Sequence, residues 1–267
     1  MAQERGIRRR GDRVSLNGVY VQSLERGLEV IRSFDAGAPR QTLADVAAAT
    51  GLSRATARRF LLTLVELGYV RSEGRIFSLT PRVLELGFSY LSALTLPEVA
   101  QPHLETLSRV VHESVSVSVL DGDDIVYVAR VPARRIMSVR VTIGTRFPAH
   151  ATSMGRVLLA ALPPSALDAY FDRLRAERLT ETTVVDPVAL RATLADVPSQ
   201  GWSIVDQELE RGLRSVAAPI RKGGEVVAAV NVATSTATTT QALRGVILDE
   251  LLHTAAAISR DLEHVSG

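Results

Sequence analysis

The chain has 267 residues, 46% hydrophobic and 22% charged, with no cysteine. That is the composition of a globular chain of one large or two ordinary domains, and it excludes disordered and collagen-like classes. Without cysteine there is no disulfide, thiolate metal ligand, cysteine nucleophile or thiol switch, so the remaining chemistry uses oxygen and nitrogen. No stretch reaches the roughly 18 uninterrupted apolar residues of a membrane span, and the start, Met1 to Arg13, is too charged for a signal peptide. We therefore expect a cytoplasmic protein with no membrane partner. The net charge of +2 hides an asymmetry: residues 1–82 hold 14 arginines against 8 acids, while the rest of the chain nets −4. Attraction for a polyanion is concentrated in the first third.

In chain order, residues 1–19 form a basic arm (Arg5, Arg8, Arg9, Arg10, Arg13) that we expect to be mobile. Leu24, Leu28, Val30, Ile31 and Phe34 recur at helical spacing and predict a first helix over about 21–34. Thr42, three residues before Asp45, caps a short second helix with Leu43, Val46 and Ala47 inward, which Gly51 closes. Ser53 is the N-cap of a third helix to about Leu67, with Ala57, Phe60, Leu61 and Leu64 inward and Gly68 as the stop. Two helices joined by a short glycine-containing turn are a helix-turn-helix. The third helix carries Arg54, Thr56, Arg58 and Arg59 in its first two turns, beside Ser53 and a small Ala55 that permits close approach. A helix in the major groove points such positions at base edges and phosphates. Residues 69–71 and 75–79 then read as two strands around Gly74, a wing with Arg71 and Arg75 near its tip.

These residues resemble the IclR family of bacterial transcriptional regulators. The likeness is carried by Val21-Gln22-Ser23-Leu24-Glu25-Arg26-Gly27-Leu28, Thr42-Leu43-Ala44-Asp45-Val46-Ala47, Gly51-Leu52-Ser53-Arg54-Ala55-Thr56-Ala57-Arg58-Arg59 and Leu67-Gly68-Tyr69-Val70, and it runs from about Tyr20 to the end of the chain. Within the family the chain is most similar to the subgroup controlling protocatechuate, 4-hydroxybenzoate and β-ketoadipate catabolism.

Beyond the wing, Pro81 opens a helix with Val83, Leu84, Leu86, Leu91 and Leu94 on its apolar stripe, a linker over 81–96. Pro97 and Pro102 bracket a restart that continues to about Glu113. Strands are predicted at 114–120, 125–131, 137–143, 202–206, 216–220 and 226–233, and helices at 153–162, 165–174, 187–197 and 241–264. About six antiparallel strands with flanking helices make an α+β domain over 97–267, which the resemblance describes as a GAF-like effector-binding domain.

Pro148 to Arg156 leads from a strand into a helix, whose free amides suit a carboxylate; plain capping by Thr152 or Ser153 is the alternative. The resemblance implies a small-molecule pocket enclosed by that helix start, the Asp206-Gln207-Glu208-Leu209-Glu210 loop, the Gly212-Leu213-Arg214-Ser215 strand entry and the last central strand, with Ser153, Met154, Asp206, Ser215 and Asn231 as matched positions and Ile136, Val139 and Phe147 as apolar walls. Ser215 stands where relatives often have cysteine, and Asn231 where serine occurs. Arg130, Arg134, Arg135, Arg140 and Arg146 crowd one stretch, and at least one can face the pocket, since the guanidinium fork fits a carboxylate. His150 is read as a loop-orienting residue. No G-x-S-x-G, H-E-x-x-H, Walker or dinucleotide fingerprint is present, and His150 with Ser153 lacks a third group.

The reading is a non-enzymatic, ligand-responsive regulator without cofactor or metal. Its expected partners are a double-stranded DNA operator, a small carboxylate effector (an aromatic or β-keto acid) and further copies of itself as homodimer or homotetramer. Two alternatives stay open: a metabolic enzyme acting on a small carboxylate with a basic interaction module, and a constitutive DNA-binding protein whose second domain only dimerises.

Overall fold

The computed structural model describes residues 20–86, 95–133 and 141–264. The basic arm, residues 87–94 of the expected linker helix, and the expected pocket residues Ile136 and Val139 lie outside the described residues. The chain divides into two compact units, Met1–Ser89 and Tyr90–Gly267.

The first unit contains α1 (Gln22–Ser33), β1 (Gln41–Thr42), α2 (Leu43–Thr50), α3 (Arg54–Glu66), β2 (Val70–Glu73) and β3 (Ile76–Leu79). Capping explains where the helices begin and end. The Thr42 hydroxyl accepts from the Asp45 amide at 3.3 Å, while the Asp45 carboxylate accepts from the Thr42 amide at 2.9 Å, a reciprocal box that starts α2. Gly51 ends α2 at φ +66°, a left-handed position that an L side chain rarely adopts. Ser53 then starts α3 by accepting from the Thr56 amide at 3.2 Å. Val30, Phe34, Val46, Ala57, Leu61, Leu64, Val70 and Phe77 form the core of this unit.

Two details differ from the sequence reading. Leu24 and Leu28 are exposed, because α1 turns Gly27 toward the Phe60 ring, which places Val30 and Phe34 inward instead. The wing also gains a third strand, β1, paired with β3 through Gln41↔Phe77 and Thr42↔Ile76.

The second unit is built on a six-stranded antiparallel sheet, order β6-β5-β4-β9-β8-β7. Its elements are α4 (Thr95–Val111), β4 (Ser114–Asp121), β5 (Asp124–Val131), β6 (Arg146–Pro148), α5 (Ser153–Ala160), α6 (Pro164–Arg173), α7 (Pro187–Gln200), β7 (Ser203–Asp206), β8 (Leu213–Lys222), β9 (Glu225–Ser235) and α8 (Leu248–His264). Alternation splits the strands between two layers, with one bulge in β5. On one side Val115, Val117, Val216, Ala218, Val230 and Val232 pack with Leu104, Leu107, Leu251 and Ile258 of α4 and α8. On the other, Ile125, Tyr127, Ala217 and Ala229 meet Met154, Val157 and Leu158 of α5 with Tyr170 and Leu194 behind.

Three expectations are corrected here. Pro102 lies inside α4 rather than before it; its ring faces solvent, where the carbonyl left without an amide partner is open to water. Residues 141–143 form no strand, and the sixth strand is Arg146–Pro148, paired with β5 at the sheet edge, where a proline is tolerated. The last helix is not continuous from 241: Gly245, at φ −92° and ψ −123°, kinks it, and α8 starts at Leu248. Among the described residues, no helix is long and apolar enough to cross a membrane.

Candidate functional site

The first candidate surface is α3. Ala57, Leu61 and Leu64 face the core, which leaves Arg54, Ala55, Arg58 and Arg59 exposed along the opposite side. Ser53 and Thr56 are tied together by a 2.9 Å hydroxyl contact at the helix start. None of Arg54, Arg58, Arg59 and Arg75 pairs with an acid among the described residues. Arg75 sits in the turn between β2 and β3. Arg71 is differently placed: it pairs across the hairpin with Ser78, its Nε donates to the Ser78 hydroxyl at 3.0 Å, and it lies 3.5 Å from Glu73, which also binds Arg40 at 2.9 Å. Arginines without an acid thus stand on α3 and at the wing tip, where a polyanion reaches them without displacing an ion pair.

The second candidate site is a cavity at the start of α5, lined by Tyr127, Ala151, Thr152, Ser153, Val205, Leu209, Leu213, Ser215, Asn231 and Ala233. Thr152 caps α5, its hydroxyl accepting from the Gly155 amide at 3.0 Å. The amides of Ser153 and Met154 precede any intrahelical acceptor, so their partial positive charge is available at this end. A Cβ at Gly155 would overlap the Ala149 carbonyl, so only glycine lets the turn Ala149–Ala151 pack this tightly against the helix. The Ser153 and Ser215 hydroxyls meet at 2.9 Å. Asn231 is 4% exposed, and its Oδ1 has no hydrogen-bond partner among the described residues. Burial pushes the Tyr127 phenol up to about 12, so it stays protonated. The cavity offers about 20 Å³, room for little more than one water.

A clamped loop closes the cavity. Between β7 and β8, residues 207–212 carry Leu209 onto it, and Gln207 adopts a left-handed φ of +59°. The Gln207 amide donates to the Leu213 carbonyl at 2.7 Å, and its own side-chain oxygen accepts from Gly212 at 3.2 Å. Thr180 and Thr183 donate to the carbonyls of Gln207 and Glu208, both at 2.7 Å. The Glu208 carboxylate reaches Arg156 of α5 at 2.6 Å and the Val184 amide at 2.8 Å, with both charged side chains under 9% exposed. Arg156 in turn donates to the His150 carbonyl at 3.0 Å. Burial pushes the His150 imidazole below its ordinary range, and Arg156 adds to that, against the Glu177 carbonyl that favours the charged ring.

Of the residues expected at a pocket, Ser153, Ser215 and Asn231 line this cavity together. Met154 does not: it is fully buried against the sheet, and its sulfur accepts from the Ser118 hydroxyl at 3.2 Å. Phe147 packs edge-on against Tyr127, one layer behind the wall. Asp206 is engaged by both nitrogens of the Arg214 fork, at 2.9 and 2.8 Å, because β7 and β8 set the two residues opposite each other. Arg146 is committed to Asp121 and Asp124, and Arg134, Arg135 and Arg140 lie outside the described residues. Leu209 and Leu213 belong to the loop and strand entry that the resemblance sets around the pocket, though neither was singled out; Tyr127 was missed, its signal being its place as the inward partner of Ile125 at period two.

A winged helix-turn-helix with unpaired arginines on its second helix, beside a separate sheet unit enclosing a hydroxyl-lined cavity, defines a DNA-binding protein with a small-molecule domain. The family model for the IclR helix-turn-helix domain matches residues 23–74, and that for the bacterial transcriptional regulator IclR C-terminal domain matches residues 88–260. The chain belongs to the IclR family of transcriptional regulators, which are not enzymes. It is 44% identical over 247 residues to the Pca regulon regulatory protein of Pseudomonas putida, covering 92% of this chain and 84% of the relative. Its structure is similar to that of a transcriptional regulator from Rhodococcus sp. RHA1, with TM-score 0.84 and 61% identity over 92% of this chain and 100% of the other. It is also similar to an IclR homologue from Microbacterium hydrocarbonoxydans complexed with 4-hydroxybenzoate, with TM-score 0.82 and 27% identity over 91% and 100%.

Proposed function

We propose that this regulator controls genes of aromatic-acid catabolism, in the protocatechuate and β-ketoadipate group, and that it responds to a small aromatic or β-keto acid. Operator duplex is read by α3 through Ser53, Arg54, Ala55, Thr56, Arg58 and Arg59, with Arg71 and Arg75 of the wing against the backbone. The acid binds at the start of α5, against Ser153, Ser215 and Asn231, where the cavity of about 20 Å³ has to widen to admit it. What carries the effector part is the buried Asn231 Oδ1 on the cavity wall: an orphaned acceptor there is costly, and a ligand donor such as a ring hydroxyl would satisfy it. The similarity to a Pca regulon regulator and to a homologue complexed with 4-hydroxybenzoate supports the same class of ligand.

One recognition helix covers few base pairs, so a two-fold dimer on half-sites about one helical turn apart is the least unit that reads an operator, and a tetramer pairs two such dimers. An effector acts only by binding two arrangements of the DNA-binding units with different affinity; in this reading residues 20–80, a linker over 81–96 and the domain over 97–267 transmit that difference. Calorimetry with 4-hydroxybenzoate, protocatechuate and β-keto acids, beside gel shifts on the same preparation, tests the proposal. Ser215→Trp should fill the cavity and abolish acid binding while operator binding survives. Wild-type acid binding in Ser215→Trp would place the ligand elsewhere. Operator binding with no response to any acid would favour a constitutive DNA-binding protein.

A further inference from the structure

We propose that Arg130 takes the carboxylate of the effector, in place of the amides at the start of α5. The inference rests on the effector reading above and names the residue that would make the site select for acids.

A bulge puts this arginine where it can do so. With strict alternation along β5, Arg130 would share a face with Val126 and Val128 and point into the apolar layer under α4 and α8. The pairing with β4 slips instead: Val117 faces Ala129 while the next residue, Ser118, faces Tyr127, so Val128 has no opposite number. Val128 and Ala129 both enter the apolar layer, and Tyr127 and Arg130, three residues apart, come to the same face as α5. Bulges re-aim side chains in this way next to functional sites.

On that face Arg130 stands opposite Ser116, Ser116 opposite Asn231, and in the adjoining row Ser114 stands opposite Ala233 and Ala233 opposite Ser215. The guanidinium donates to the Ser116 hydroxyl at 3.1 Å and reaches that of Ser114 at 3.5 Å. It thus sits one strand away from the cavity wall formed by Asn231, Ala233 and Ser215. From β4 to β8 are two interstrand spacings, about 10 Å, comparable with one hydroxylated ring and a hydrogen bond at each end. An acid lying across β9 would have its carboxylate at Arg130, its ring over Ala233, and a ring hydroxyl between Asn231 Oδ1 and the Ser153 and Ser215 pair.

The charges agree with that placement. Arg156, Arg214 and Arg146, the other arginines packed around this layer, are each paired with a carboxylate. Arg130 has no acid partner among the described residues, and the segment Val131 to Arg140 that follows holds further arginines and no acid. Half-buried, it contacts two serine hydroxyls; its burial lowers its pKa from the ordinary arginine value without making it neutral. A partly desolvated cation lacking a counter-charge is favourable once an anion arrives.

The experiment is calorimetry of the full chain and of Arg130→Gln and Arg130→Lys with 4-hydroxybenzoate and protocatechuate and with their neutral carboxamides. The wild type should prefer each acid over its amide by about tenfold or more, Arg130→Gln should lose that preference while binding the amides as before, and Arg130→Lys should keep part of it. Thermal melting of the unliganded Arg130→Gln should match or exceed wild type. Retention of the acid preference in Arg130→Gln overturns the inference alone. Equal loss of acid and amide with a lowered melting temperature also overturns it, by assigning Arg130 to knitting β4 to β5. A wild type that binds none of the acids overturns the effector reading and this inference with it.

Discussion

Replacing Glu208 by Ala tests whether the loop over the cavity is anchored as the geometry indicates. The carboxylate is held at 2.6 Å by an Arg156 that is 3% exposed, and it also accepts from the Val184 amide at 2.8 Å. Its removal leaves a guanidinium with only the His150 carbonyl for company, in a site closed to water. Breaking a buried pair by deleting one partner costs about 3–5 kcal/mol, against about 1 kcal/mol or less for an exposed pair. With roughly 2–4 °C per kcal/mol for a unit of this size, melting should fall by about 10 °C. Glu208→Gln keeps an acceptor for Val184 and should fall in between. The double variant Arg156→Met with Glu208→Leu should recover most of the loss, because neither charge is then left unpaired. Urea and thermal denaturation followed by circular dichroism measure all four proteins. A Glu208→Ala protein within about 1 kcal/mol of wild type would refute the reasoning, since the pair would then be behaving as a solvated one.

Arg58→Ala or Arg59→Ala should weaken operator binding by roughly 1–3 kcal/mol where the side chain reads a base, with a strong salt dependence in gel-shift titrations. Unchanged affinity in both would remove α3 from the groove. Deleting residues 1–13 should cost less than either, and an equal loss would show that the arm reads DNA as well. Gly155→Ala should destabilise by about 1–3 kcal/mol in denaturant melts, because its methyl meets the Ala149 carbonyl, which is backbone and cannot swing away. A neutral effect would mean that the Ala149–Ala151 turn yields. His150 gives a pH signature: with its pKa held down by burial, the unfolded chain takes up the extra proton below about pH 6.5. Stability should therefore be complete above that value and decline as the pH falls toward 5, with a smaller decline in His150→Gln; parallel curves for the two proteins would count against it.

The DNA-binding unit was legible because its signals are local. Thr42 with Asp45 and Ser53 with Thr56 each act over three residues, Gly51 ends α2 by its own conformation, and the inward set of α3 follows from period alone. The sheet was legible in β4 from its valine–serine alternation, and in β8 and β9 from apolar runs that suit strands covered on both faces. The cavity was legible in part and only through the resemblance, which brings Ser153, Ser215 and Asn231 together; the rest of its composition depends on pairings between distant strands. Asp206 is drawn away from it by Arg214, eight residues on, through the β7–β8 register. The bulge at Val128 moves Arg130 to the opposite face from the one alternation implies, and no single residue announces it. The resemblance sets the segments of Leu209 and Leu213 around the pocket, but the left-handed Gln207 at the start of that loop is not foreseen by propensity. Pro148 disguised the edge strand β6, since proline argues against a strand everywhere except at an edge.

The central claim joins two activities in one chain, and a single titration addresses both: fluorescence anisotropy of a duplex carrying the DNA upstream of its own gene and the neighbouring operon, beside a shuffled duplex, with and without 4-hydroxybenzoate or protocatechuate. The account predicts binding to the native duplex at least about 10³-fold tighter than to the shuffled one, and an affinity that shifts when the acid is present. Equal binding to both duplexes, or a native affinity that no acid alters, would contradict it.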